Sequence, residues 1–153
     1  MKRTTLSLAV MLTLGAAVNA QTMADALNNK CAVTWIGLDF SEATLVPTVE
    51  FAPVQADPGL MIMKWNNLLE AEAEKFNMAK ALGIGACTNN TSYVQGVNDG
   101  LTGTDLLSRS AGTLDKEKVP AMVKKYKTED GEGVGIVFIV STFNKTQEMA
   151  EYC

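Results

Sequence analysis

Two stretches of the chain are apolar at almost every position. Ala32 to Phe40 contains Val33, Trp35, Ile36, Leu38 and Phe40, and Gly133 to Thr142 reads GVGIVFIVST. Such runs are rich in β-branched and aromatic residues and lack polar alternation. They predict strands covered on both faces, at the centre of a sheet. Between them the period changes. From Leu60 to Leu82, Ile62, Trp65, Leu69, Ala73, Phe76 and Ala79 recur at steps of three or four. That spacing puts them on one stripe and predicts a long amphipathic helix packed on the sheet. Gly83 follows as a natural left-handed stop. The fold class expected is α/β or α+β, a mixed sheet with Ala32–Phe40 and Gly133–Thr142 as its central strands.

Weaker patterns fill the intervals. Glu42 to Val49 reads as a second strand, demoted to an edge or an irregular segment by Pro47. Pro47, Pro53 and Pro58, with the turn Asp57-Pro58-Gly59, mark a loop leading to the long helix. Ile84 onward is polar and glycine-rich, with Tyr93–Val97 as a short strand. Asp105–Ala111 predicts a short helix closed by Gly112. Another runs from Thr113 or Asp115 to about Tyr126, with Pro120 near its first turn, where proline is tolerated. Glu129-Asp130-Gly131 is a turn signal. After a turn at Phe143–Thr146, Gln147–Cys153 fits an antiparallel return strand, a short helix being the rival. The last residue is Cys153, with no polar tail. The expectation is a single globular domain over 31–153, cut short, with a longer parent supplying further strands.

The first 20 residues follow a different logic. Lys2 and Arg3 precede an uncharged stretch, Thr4–Val18, and Val18-Asn19-Ala20 places small or short side chains at −3 and −1. This is the pattern of a secretory signal peptide cut between Ala20 and Gln21. The apolar part, about 15 residues, is shorter than the ~20 a spanning helix needs. Cys31 is a poor lipidation site, because Lys30 precedes it and a polar gap separates it from the apolar part. Residues 21–30 read as a flexible lead-in. The protein is expected outside the cytoplasm, periplasmic or secreted, without stable membrane insertion once the leader is gone.

Composition narrows the chemistry. Of 13 Lys and Arg, two leave with the leader, and the remaining 11 face 17 Asp and Glu, a net charge of about −6. That balance argues against nucleic acid as a partner. The chain has no histidine. A Ser-His-Asp or Cys-His system is therefore excluded within it, together with the commonest metal ligand. No metal site and no cofactor is expected. Gly131-Glu132-Gly133-Val134-Gly135 precedes a strand, whereas a dinucleotide loop follows one and opens a helix. Cys31, Cys87 and Cys153 show no CxxC spacing. Core packing is their leading reading. Export to an oxidising compartment also permits a Cys31–Cys87 disulfide.

Candidate site residues come from the strand ends. Ligands of open α/β sheets bind beyond the carboxyl ends of strands. Asp39, Ser41 and Glu42 follow the first central strand, and Ser141 and Asn144 stand at the end of the second. If the two strands are parallel neighbours, these groups share one edge of the sheet. Ordinary turn chemistry accounts for the same residues.

The strand ending in Asp39-Phe40-Ser41 resembles the first strand of universal stress proteins, over about ten residues. The nucleotide loop of that family has no counterpart here, so its function is not carried over. The leader, WIGLDFSEATL and VGIVFIVSTFNK resemble small exported proteins of Bacteroidota-like bacteria. That resemblance implies export and an α/β domain, and no activity. The functional expectation is a non-enzymatic domain that binds a ligand or a partner. The alternatives are a carboxylate-dependent hydrolase acting on a glycan through Asp39 and Glu42, and an envelope-assembly subunit pairing through an exposed strand edge.

Overall fold

The computed structural model describes residues 21–107, 112–126 and 133–153. The leader, the Glu129–Gly131 turn and residues 108–111 lie outside the described residues; the helix expected over Asp105–Ala111 is instead Gly103–Leu106, started two residues earlier by a Thr102–Asp105 capping box and ended at an extended Leu107. The elements run α1 (Met23–Leu27), β1 (Val33–Asp39), β2 (Thr44–Val46), α2 (Ala52–Ala56), α3 (Pro58–Ala71), α4 (Met78–Leu82), β3 (Thr88–Asn89), α5 (Ser92–Asn98), α6 (Gly103–Leu106), α7 (Val119–Val123), β4 (Val134–Asn144) and β5 (Met149–Tyr152). The fold is mixed α/β with a five-stranded sheet.

β4 is the spine. Its first half lies parallel to β1, from Val33 opposite Val134 to Asp39 opposite Ile139. Its second half pairs parallel with β2, at Thr44–Val46, and antiparallel with β5. β3 adds a short parallel pairing to β1 at Thr34 and Trp35. The two apolar runs are therefore adjacent parallel strands. β1 buries residues of both alternations, Val33 and Trp35 as well as Ile36 and Asp39, as a strand covered on both faces must. β2 stops where Pro47 removes a donor. The C-terminal return is a strand, and its helical rival is not adopted.

Two apolar clusters pack on the sheet. One gathers Phe40, Leu45, Phe51, Val54, Ile62, Leu106 and Val140. The other gathers Ala26, Val33, Trp35, Ile84 and Ile136, with Cys31 and Cys87 packed against it. Leu38 touches both. Residues 21–30, expected as a loose lead-in, carry the short α1. A reciprocal Thr22–Asp25 capping box fixes its start, and Ala26 is buried.

Three further expectations need correction. The helix predicted over Leu60–Leu82 is two helices, α3 and α4, separated by turns at 72–77. Residues 71–75 are good helix formers, but all are exposed, so nothing apolar is gained by continuing. Asn77 then accepts from the Lys80 amide at 2.8 Å and starts α4 afresh, and Gly83, at φ 69°, ends it. Tyr93–Val97, read as a strand, is part of helix α5. Asn90 Oδ1 accepts from the Ser92 amide at its start, and Val94 and Asn98, four apart, are its buried residues. The helix expected from Thr113 or Asp115 to about Tyr126 is confined to Val119–Val123, so it starts later and ends earlier, and Pro120 stands in its first turn.

One glycine is dictated by packing. The β1–β4 register slips between Trp35 and Gly37, and Gly37 sits at φ 114°. A Cβ there would stand 2.7 Å from Asn66 Oδ1 and 2.8 Å from Val94 Cγ2. The bulge lets α3 and α5 close onto the edge of β1.

Candidate functional site

β3 covers the outer edge of β1 only at Thr34 and Trp35. Beyond the bulge, two buried asparagines take over its hydrogen bonds. Asn66, on α3, accepts from the Leu38 amide at 2.8 Å and donates to the Leu38 carbonyl at 3.2 Å. Asn98, on α5, accepts from the Phe40 amide at 2.9 Å and donates to the same carbonyl at 2.9 Å. Their carboxamides act as a surrogate strand and satisfy a buried backbone that, among the described residues, no neighbouring strand reaches. A small cavity of about 20 Å³ lies between them and Asn67, Thr91, Gln95 and Asp99. That is room for about one water molecule. The pair is therefore a structural clamp.

The end of β1 is polar, as its sequence suggested, but it faces inward. Asp39 is fully buried. Its Oδ1 accepts from the Ser41 amide at 2.7 Å, a local turn bond, and its Oδ2 accepts from the Tyr126 hydroxyl. Burial first, and then the bond to Asp39 and its charge, push the Tyr126 phenol far above its ordinary value. Glu42, which directly follows Ser41, meets the Lys118 ammonium at 3.4 Å. These two contacts tie residues 118–126 over the β1–β2 turn.

The other sequence candidates lie apart from this group. Ser141 is buried, and its hydroxyl donates to the Glu151 carbonyl at 3.2 Å, inside the irregular step of the β4–β5 ladder. Thr142 donates to the Gly112 carbonyl at 2.9 Å. β4 runs on to Asn144, past its expected end at Thr142. Asn144 closes the hairpin, donating to Gln147 Oε1 at 2.9 Å and accepting from the Gln147 amide at 3.1 Å. Asp39 and Ser41 are thus brought together. Ser141 and Asn144 instead shape the junction with β5.

That junction holds the accessible chemistry. All four residues of β5 are exposed. On one side an open groove of about 350 Å³ is lined by Phe51, Trp65, Phe143 and Met149, with Lys145 and Glu148 at its rim. Phe40, Trp65 and Phe143 form a ring cluster at centroid distances of 5.3 to 5.7 Å. Lys145 stands over the Phe51 ring and donates to the Glu50 carbonyl at 2.7 Å. A second open hollow, of about 460 Å³, lies beside Ser141 and Ala150–Cys153. Tyr152 stacks on Phe138 at 4.6 Å.

The thiols of Cys31, Cys87 and Cys153 are free. Cys31 and Cys87 pack on the same core cluster, and burial pushes the Cys87 thiol up. Among the described residues, no three His, Cys, Asp or Glu side chains gather as a metal site, and no helix is long and apolar enough to cross a membrane. Comparison with protein-family models, with characterised proteins and with solved structures finds no match.

The sequence reading missed Tyr126, Asn66 and Asn98. A signal for the asparagines was present: each lies four residues after a buried aliphatic, Ile62 and Val94, and so shares its helix face. Nothing in the local sequence marks Tyr126, whose role depends on a contact 87 positions away.

The Asp39–Tyr126 contact carries a prediction. A phenol whose folded pKa is raised keeps its proton where the unfolded chain loses it. Stability is then fully present below about pH 10 and falls as pH rises beyond it. Tyr126→Phe is expected to flatten this alkaline loss and to cost about 1–2 kcal/mol at neutral pH, because Asp39 loses a donor. Urea melts of both chains at pH 7 and pH 11 read the difference. Identical pH slopes would remove Tyr126 from the account.

Proposed function

We propose that the chain is an exported, non-enzymatic binding domain of the periplasm or cell exterior, and that it engages a protein partner through the β4–β5 end of its sheet. The observation that carries this reading is β5: it is exposed along its whole length and, among the described residues, paired only with β4. Cys153 exchanges both backbone bonds with Ile139. By the two-residue period, Met149 and Glu151 also turn their backbone groups toward β4, and Ala150 and Tyr152 turn theirs outward. An open edge beside an aromatic groove is the arrangement that strand addition uses, with main-chain bonds for affinity and side-chain pockets for selection. The basic-apolar-small pattern of residues 1–20 supports export.

The carboxylate-hydrolase alternative has less support. Asp39 spends both oxygens on Ser41 and Tyr126, and Glu42 pairs with Lys118. Within the binding reading, partner recognition is favoured over a small ligand, because the larger hollows are open surfaces and the small cavity between Asn66 and Asn98 holds about a single water.

The test is site-specific photo-crosslinking in the living source cell. A crosslinker at Met149 or Tyr152 should give one discrete adduct, and the same group at exposed Lys64 on α3 should give none. Absence of an adduct from either β5 position, or an identical pattern from all three, would reject the assignment.

A further inference from the structure

We propose that Gln21 is the amino-terminal residue of the exported chain and that it closes on itself to a pyroglutamate. This rests on the export reading above, in which cleavage falls between Ala20 and Gln21. Cleavage there gives a glutamine with a free α-amine. Such amines titrate near ~7.7–8, so a sizeable share is the neutral nucleophile at physiological pH. The side-chain amide of the same residue is the electrophile. The α-nitrogen attacks Cδ and forms a five-membered ring. The N–Cδ bond forms, the Cδ–Nε2 bond breaks, and Nε2 leaves as ammonia with the proton given up by the amine. Oε1 stays as the lactam oxygen. No electrons change hands and no co-reactant is needed.

The fold prepares this step. The Gly133 amide, at the start of β4, donates to Gln21 Oε1. A donor on that oxygen draws charge from Cδ and stabilises the negative charge that develops on Oε1 during attack, as an oxyanion-hole donor does. The next residue is fixed: the Thr22 amide and hydroxyl both donate to Asp25 Oδ2, at 2.9 and 2.7 Å. Gln21 itself is exposed, which leaves ammonia a path to solvent. Closure removes the terminal positive charge and leaves a chain end that aminopeptidases of ordinary specificity do not open.

Intact-mass measurement and amino-terminal sequencing of the protein secreted by its source cell test this. The expected result is a blocked chain beginning at residue 21 and about 17 Da lighter than the unmodified sequence, the mass of the ammonia lost. Gln21→Ala should give an unblocked chain with no such loss. A chain beginning at Gln21 with a free amine after prolonged incubation at pH 8 would overturn the inference and leave export standing. A chain retaining residues 1–20, or beginning elsewhere, would overturn both. The part assigned to Gly133 is read separately. The folded protein should cyclise several-fold faster than the free peptide of residues 21–30, and equal rates would remove Gly133 from the mechanism.

Discussion

Replacing Asn98 with leucine is expected to lower the stability of the chain by about 3 kcal/mol. The side chain is buried, and it holds the Phe40 amide and one bond to the Leu38 carbonyl. Leucine fills similar space and offers neither group. The Phe40 amide would be left without its acceptor, at a cost of about 1–3 kcal/mol for a buried group, and the carbonyl would keep only its longer bond to Asn66. For a domain of this size the melting temperature should fall by roughly 10 °C. Asn98→Asp should not rescue it, because a carboxylate would be buried facing the Leu38 carbonyl. Asn67→Leu is the control. Its side chain is exposed on α3, beside Asn66, and the change should stay within about 0.5 kcal/mol. A loss below about 1 kcal/mol for Asn98→Leu would mean that water replaces the carboxamide, and the clamp would lose its energetic meaning.

Gly37→Ala is expected to cost at least as much, about 3–4 kcal/mol. Two penalties add. Alanine is strained at φ 114°, and its Cβ would meet Asn66 Oδ1 at 2.7 Å and Val94 Cγ2 at 2.8 Å. Relief requires α3 or α5 to draw back, and Asn66 would then lose its hold on Leu38. The two lesions are therefore coupled. Asn66→Leu combined with Gly37→Ala should cost less than the sum of the single changes, by about 1 kcal/mol, since the second removes what the first has already broken. Urea unfolding of the four chains gives this coupling directly. Strict additivity would show that the bulge and the asparagine are independent.

These sites show what the sequence could and could not reveal. β1 and β4 were legible because a strand buried on both faces must be apolar at every position. Pro47 placed the end of β2 for an equally local reason, whereas the turn expected at Phe143–Thr146 falls two residues later, at 145–148, because Phe143 and Asn144 still pair within the sheet. The break in the long helix was not legible. The residues at 71–75 favour a helix in isolation, and only their lack of anything to pack against ends it. Strand and helix were confused at Tyr93–Val97 because a five-residue run is too short for its period to decide. At the candidate site, Asp39 was found as a polar strand end. That it points inward depends on Tyr126, and the meaning of Asn66 and Asn98 depends on a β1 edge that β3 fails to cover. Such facts belong to the tertiary arrangement: the spacing of Asn66 and Asn98 from Ile62 and Val94 marks a shared helix face but not what the carboxamides bond, and Tyr126 has no local mark at all.

Among the described residues, the sheet has one edge sealed by side chains and the other left open. Residue-resolved amide hydrogen exchange on the isolated protein tests both halves in a single experiment. The Leu38 and Phe40 amides should be protected almost to the level of global unfolding, while those of Ala150 and Tyr152 exchange at rates near those of exposed chain. Rapid exchange at Leu38 and Phe40, or strong protection at Ala150 and Tyr152, would contradict this arrangement.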